Sequence, residues 1–194
     1  MQQMSFPGIE SPARGEIHNL FFALWPGEST RARIEAAAAQ LKRSHAPQGR
    51  WLNPRRYHVT MRYLGAHLVL PPHLVSLALA AGDEVRVPAF DLALDVAGSF
   101  RNSNIPWWLG CSAEPVGVDA LSQGIADAFR ALGSHVAGGG RLVPHVTILR
   151  DADRPLPATP IAPVVWRVDE FVLIDSLLGA DSRYTILRRW KLGA

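Results

Sequence analysis

The tripeptide His-Val-Thr occurs twice, at 58–60 within "RRYHVTMRYLG" (55–65) and at 145–147 within "RLVPHVTILRD" (141–151). Each copy lies in an apolar, β-branched run of the kind that forms strands. Side chains along a strand point alternately to opposite faces. His58 and Thr60 therefore share one face, with Val59 and Met61 on the other. His145 and Thr147 stand in the same relation to Val146 and Ile148. Two such strands lining one cleft would gather two imidazoles and two hydroxyls. Imidazole titrates near neutrality, so one histidine can act as base while the other acts as acid. Threonine hydroxyls can donate hydrogen bonds to phosphate oxygens held between them. The residue types alone do not say which histidine is the acid.

Other chemical devices are missing from the sequence. It contains no His-Glu-x-x-His, no Gly-x-Ser-x-Gly and no Walker loop. The glycine-rich "AGGGR" (137–141) lacks the lysine and hydroxyl of a phosphate loop and reads as a turn. Cys111 is the one cysteine, in the strand-like "WWLGCSA"; it excludes an internal disulfide or a cysteine zinc site and reads as a small core residue. No metal and no cofactor are expected. His18, His45, His67, His73 and His135 lack the motif context and read as surface or loop residues.

Strands are expected at 17–25, 57–65, 90–100, 106–113, 144–150, 164–176 and 182–192. The run at 90–100 alternates, with Phe90, Leu92, Leu94 and Val96 on one face, and "RNSN" is read as its turn to the next strand. Helices are expected at 28–45, 71–85 and 117–133. The first carries Ile34, Ala37, Ala38 and Leu41 on one face; the third carries Val118, Leu121, Ile125, Phe129 and Leu132. The proline-rich 151–163 reads as connection. The order is strand, helix, strand, helix, two strands, helix, three strands, an α+β pattern with antiparallel pairing. Each half places a helix, then a turn-rich stretch, then an HVT strand.

The 194 residues, 48% of them apolar, suffice for one sizeable core or for two small lobes that share one. Residues 1–16 read as a flexible leader before a single domain at 17–194. The net charge of +3 suits a phosphate-bearing partner without requiring one. No apolar run reaches the length of a membrane span. Single-cysteine usage fits a reducing, cytoplasmic setting, and a monomer is expected.

These motifs resemble the two-histidine phosphoesterase superfamily, and within it the bacterial RNA 2′,3′-cyclic phosphodiesterases, historically called 2′-5′ RNA ligases. "LFFALWP" is similar to the opening strand of that family, "HVTMRYLG" to its first motif, "PHVTILRDA" to its second and "SRYTILRRW" to its closing strand. The resemblance implies a bilobal α+β fold with two antiparallel sheets forming a central V-shaped cleft and helices packed outside. It implies metal-independent hydrolysis of RNA 2′,3′-cyclic phosphate ends to 2′-phosphates. His145 corresponds to the proton acceptor and His58 to the proton donor, while Thr60 and Thr147 hold the phosphate. Arg150 is the family-like cation, although strict alternation from His145 places it on the far face unless the strand ends or bulges. Arg62 is a second candidate by parity with His58 and Thr60, at a position where the family often has a small residue. For the nucleobase, Phe21, Phe22, Tyr63, Trp107 and Trp108 are candidate stacking partners.

Four activities compete: RNA-end phosphodiesterase, phosphodiesterase on small 2′,3′-cyclic nucleotides or ADP-ribose cyclic phosphate, 2′-5′ RNA ligation, and RNA binding without chemistry. Intact histidines and threonines in both motifs favour catalysis.

Overall fold

The computed structural model describes residues 16–101, 104–134, 142–179 and 182–193. The leader up to residue 15, the "AGGGR" turn, His135 and part of the "RNSN" turn lie outside the described residues. Three α-helices and nine strands are present among the described residues: β1 (Ile17–Leu24), α1 (Glu28–His45), β2 (Arg50–Trp51), β3 (Val59–His67), α2 (Pro72–Glu84), β4 (Phe90–Ser99), β5 (Trp107–Gly110), α3 (Val116–Ala131), β6 (His145–Arg150), β7 (Thr159–Val168), β8 (Glu170–Leu178) and β9 (Arg183–Lys191). The strand order is β7-β4-β5-β6-β3-β1-β8-β9, with β2 paired to β6. Every ladder is antiparallel.

The two expected sheets are joined into one ladder at a single place. β3 meets β6 through one residue pair, Val59 with Val146, while the other full ladders run over four to eight pairs. Those two valines are the central residues of the two HVT copies. The sheet thus consists of two four-stranded halves, each ending in an HVT strand, tied by one pair.

Helix burial follows the apolar spacing. Ile34, Ala38 and Leu41 of α1, and Val118, Leu121, Ile125 and Phe129 of α3, are buried in one continuous core with Phe22, Leu94, Leu109 and Ile148 from the strands. Leu132, expected on the α3 face, is 42% exposed because the helix ends at Ala131. The β1–β8 half buries its other face too, through a smaller cluster of Phe21, Ala23, Val172 and Ile174. The helices cover the first face, and the second turns toward the HVT side chains.

Two elements differ from the sequence expectation. The run 164–176 is two strands broken at Asp169: β7 pairs with β4 in one half and β8 with β1 in the other. The burial pattern changes at the break. Val164, Trp166 and Val168 alternate, as in an edge strand with one buried face, whereas Phe171 to Ile174 are all buried, as in a central strand. Part of the proline-rich connection is also strand, since β7 begins at Thr159.

The second is β2, unexpected inside a turn-rich segment. It lies against the end of β6, with Arg50 opposite Arg150 and Trp51 opposite Leu149. Gly49 makes that approach possible. Its φ is +142°, and a Cβ there would stand 2.9 Å from the Arg150 carbonyl oxygen and 3.0 Å from that of Asp151. A Gly49→Ala change is expected to cost about 1–3 kcal/mol through backbone strain, read as a lower urea midpoint with an unchanged m-value.

Candidate active site

At the seam, Val59 and Val146 turn into the core, 1% and 0% exposed. Alternation sends their neighbours to the other face, and the register of the pair runs His58 toward Thr147 and Thr60 toward His145. All four side chains are half-buried.

Both histidines are fixed by the same hydrogen bond. His58 Nδ1–H donates to the Arg56 carbonyl at 2.7 Å, and His145 Nδ1–H donates to the Val143 carbonyl at 2.7 Å. In each, the partner is the carbonyl two residues earlier. A carbonyl only accepts, so the proton of the neutral ring sits on Nδ1 and Nε2 keeps its lone pair. Nε2 is then the atom that can take or give a proton in the cleft.

The surroundings of the two rings differ. Phe21 stacks on His58 at 5.1 Å between centroids, Trp25 lies nearly parallel at 6.3 Å, and Tyr184 meets it edge-on at 5.6 Å. His145 meets Phe100 edge-on at 4.8 Å. Burial pushes the pKa of His58 down to about 4, against the opposing pull of the Arg56 carbonyl, and the charges of Arg150 and His145 lower it further. Burial also lowers the pKa of His145, opposed by the Val143 carbonyl.

A cavity of about 450 Å³ lies beside the seam. His58, Thr60 and Arg150 line one part of it. Phe21, Asn19, Tyr63 and Tyr184 also line it, as do Arg50 and Arg56. His145 and Thr147 are not among its lining residues; they approach the motif-one side chains through the seam.

Two bulges decide which arginine reaches this cavity. In β6, Thr147 opposes Trp108 and Leu149 opposes Trp107, so Ile148 is an extra residue. Ile148 and Leu149 are both fully buried, and parity is reset. Arg150 therefore emerges on the cavity side, through the bulge that strict alternation required. In β3, Thr60 opposes Ala23 and Arg62 opposes Phe22, so Met61 is extra. Opposed residues share a face, and Phe22 belongs to the helix-covered core. Arg62 thus points away from Thr60, against the parity expectation, and burial lowers its pKa. Tyr63, opposite Phe21, takes its place on the cavity wall.

Among the stacking candidates, Phe22 and Trp107 are core residues, Trp108 packs on Phe100, and Phe21 is occupied by His58. Tyr63 is 48% exposed, and its hydroxyl donates to Asn19 Oδ1 at 2.7 Å. Cys111 is half-buried and burial raises its pKa to about 11, so the thiol stays protonated and inert near neutral pH. His18 differs from a surface reading: it lies within β1 and its Nδ1 bonds Asp175 at 2.9 Å. Sequence reading missed Arg50, Arg56 and Tyr184. Arg56 had the clearest signal, two residues before His58. No group of three or more His, Cys, Asp or Glu is placed to hold a metal ion among the described residues.

The sequence profile of the 2'-5' RNA ligase superfamily matches residues 26–180. The chain belongs to that superfamily. The RNA 2′,3′-cyclic phosphodiesterase of Escherichia coli K12 is 31% identical over 182 residues, covering 91% of this chain and 98% of the relative. The apo crystal structure of E. coli LigT superposes with a TM-score of 0.73 at 31% identity, over 92% of this chain and 99% of that one. LigT complexed with 3′-AMP gives a TM-score of 0.72 at 30% identity, over 91% and 98%. The α+β fold with two antiparallel halves and helices outside is therefore the superfamily fold. The matched profile spans both HVT strands. No helix among the described residues is long and apolar enough to cross a membrane.

The depressed His58 pKa has a stability consequence. Unfolded, the ring titrates near 6.5; folded, near 4. The folded state binds fewer protons between these values, so stability is full above pH ~6.5 and falls as pH drops toward 4, by at most on the order of 3 kcal/mol from this group. His58→Gln is expected to flatten the pH dependence of the urea midpoint in that window, while the wild type declines.

Proposed function

We propose that this protein hydrolyses RNA 2′,3′-cyclic phosphate ends to 2′-phosphates by acid–base catalysis between His58 and His145. The observation that carries the reading is the pairing of the two motifs at Val59–Val146, with each histidine locked by its Nδ1–H so that Nε2 is available. The E. coli relative is named for this activity, which supports the substrate class.

His145 Nε2 takes a proton from water as the water oxygen bonds to phosphorus. The bond from phosphorus to the 3′ oxygen breaks, and His58 Nε2–H delivers its proton to that oxygen. The products are a 2′-phosphate and a free 3′-hydroxyl, and the net proton balance is zero. Thr60 and Thr147 donate hydrogen bonds to the non-bridging oxygens, and Arg150 offsets the charge that grows on them. The strained five-membered ring supplies part of the driving force.

His58 must carry a proton to act, and in the empty site burial disfavours it. An anionic phosphate beside it restores the charged form. The alkaline limb of kcat is therefore expected at higher pH than the alkaline limb of kcat/KM, because kcat reports the complex and kcat/KM the free enzyme. Coincident limbs would show that the phosphate does not charge His58.

The direct test uses a short RNA ending in a 2′,3′-cyclic phosphate, with chelator present. The wild type is expected to yield a 2′-phosphate, identified by mass and phosphatase sensitivity. His58→Ala and His145→Ala are each expected to lose about 10²–10⁴-fold in kcat. Undiminished turnover in either variant would remove that histidine from the mechanism.

A further inference from the structure

Arg50 and Arg150 are direct cross-strand partners in β2 and β6. Like charges set opposite each other across a strand pair repel. The chain nevertheless holds them there by independent constraints. Gly49 allows the backbone approach, Leu52 N–H donates to the Ile148 carbonyl at 2.9 Å, and Gln48 N–H donates to Asp153 Oδ1 at 3.0 Å. Asp153 N–H donates back to the Gln48 carbonyl at 3.1 Å. The ion pair of Arg50 with Asp151 is long, 3.7 Å, with side chains 64% and 54% exposed. Such a pair contributes little.

Both arginines line the cavity that holds His58 and Thr60, and no carboxylate stands among its described lining residues. Arg56 lines it as well, but its guanidinium already donates to the Ser182 carbonyl at 2.7 Å and hydroxyl at 2.9 Å, and lies 5.2 Å from the Tyr184 ring centre. The scissile cyclic phosphodiester carries one negative charge. Arg150, which acts electrostatically on His58, can answer it alone. Arg50 then has no partner in the reacting group, although the strand register sets it opposite another arginine.

We propose that Arg50, held against Arg150, forms a second anion subsite that binds a phosphodiester of the substrate other than the one cleaved. The preferred substrate is then an oligonucleotide end, and a cyclic mononucleotide leaves the subsite empty. The inference rests on the phosphodiesterase reading for its substrate and on the arginine pair for its site.

The test compares kcat/KM for a 2′,3′-cyclic mononucleotide, a dinucleotide and a longer RNA with the same cyclic end, in wild type, Arg50→Ala and Arg50→Lys. The wild type is expected to favour the dinucleotide over the mononucleotide. Arg50→Ala is expected to cut that ratio about tenfold, mainly through KM, and Arg50→Lys to restore part of it. Arg50→Ala is also expected to make the salt dependence for RNA shallower, by about one unit in the log–log slope. A ratio unchanged by Arg50→Ala would overturn the subsite. Fluorescence-anisotropy binding of a dinucleotide 2′-phosphate against a nucleoside 2′-phosphate separates this outcome from failure of the chemistry. Selective loss of dinucleotide binding in Arg50→Ala, without turnover by the wild type, would uphold the subsite and overturn the phosphodiesterase reading.

Discussion

The pairing of Val59 with Val146 is the constraint on which the rest of this structure depends. Two four-stranded halves, each stabilised by long ladders and a shared helix-covered core, touch in the sheet at that one pair. A longer ladder there would flatten the two halves into a common plane and close the space beside the motifs. No ladder at all would leave the histidines without a fixed separation. One pair of small β-branched residues, both fully desolvated, sets the register of the facing strands and leaves their flanks free to diverge. The apolar centre of each tripeptide is thus as much a part of the site as its polar ends: the valines fix the position, and the histidines and threonines use it.

Around that pair the protein departs from ideal strand geometry where charge has to be steered. An extra residue at Ile148 turns Arg150 into the cavity, and one at Met61 turns Arg62 out of it and Tyr63 in. The two bulges have opposite consequences for the cations of the two motifs. One motif arginine on the cavity side follows from this, supplied by the second motif, and an aromatic wall is supplied by the first. Bulges next to active sites commonly re-aim a side chain in this manner.

Much of this was legible in the residues. The repeated tripeptide, the alternation from Phe90 to Leu94 and the helix faces of α1 and α3 are local patterns that packing keeps, whereas a bulge between Leu94 and Val96 takes Val96 off the expected face and buries Ala97 instead. The break at Asp169 was less visible, since a continuous apolar run reads as one strand even when its two ends serve different halves of a sheet. Burial on one face before Asp169 and on both faces after it carried the distinction. The bulge in β3 left no such mark. Nothing in "HVTMRY" says that Met61 will be unpaired, because that depends on what Ala23 and Phe22 oppose, far away in sequence. The same holds for β2, whose two residues form a strand only because β6 offers its end. Arg50 was therefore invisible as a site residue, and Arg62 attracted notice for a parity that the tertiary pairing removes.

The two histidines share a tripeptide and a hydrogen bond, yet their surroundings divide them. His58 is boxed by Phe21, Trp25 and Tyr184, whereas His145 meets the edge of Phe100. An apolar box expels charge from the empty site, which keeps His58 neutral while nothing is bound. The same ring faces attract a cation once one is present, because their quadrupoles are negative above the plane. A bound anion beside the ring would make protonation favourable, and the aromatic faces would then share in holding the imidazolium. His145, less enclosed, lacks such a box. Identical motifs acquire different surroundings through the neighbours that each half-sheet presents to them.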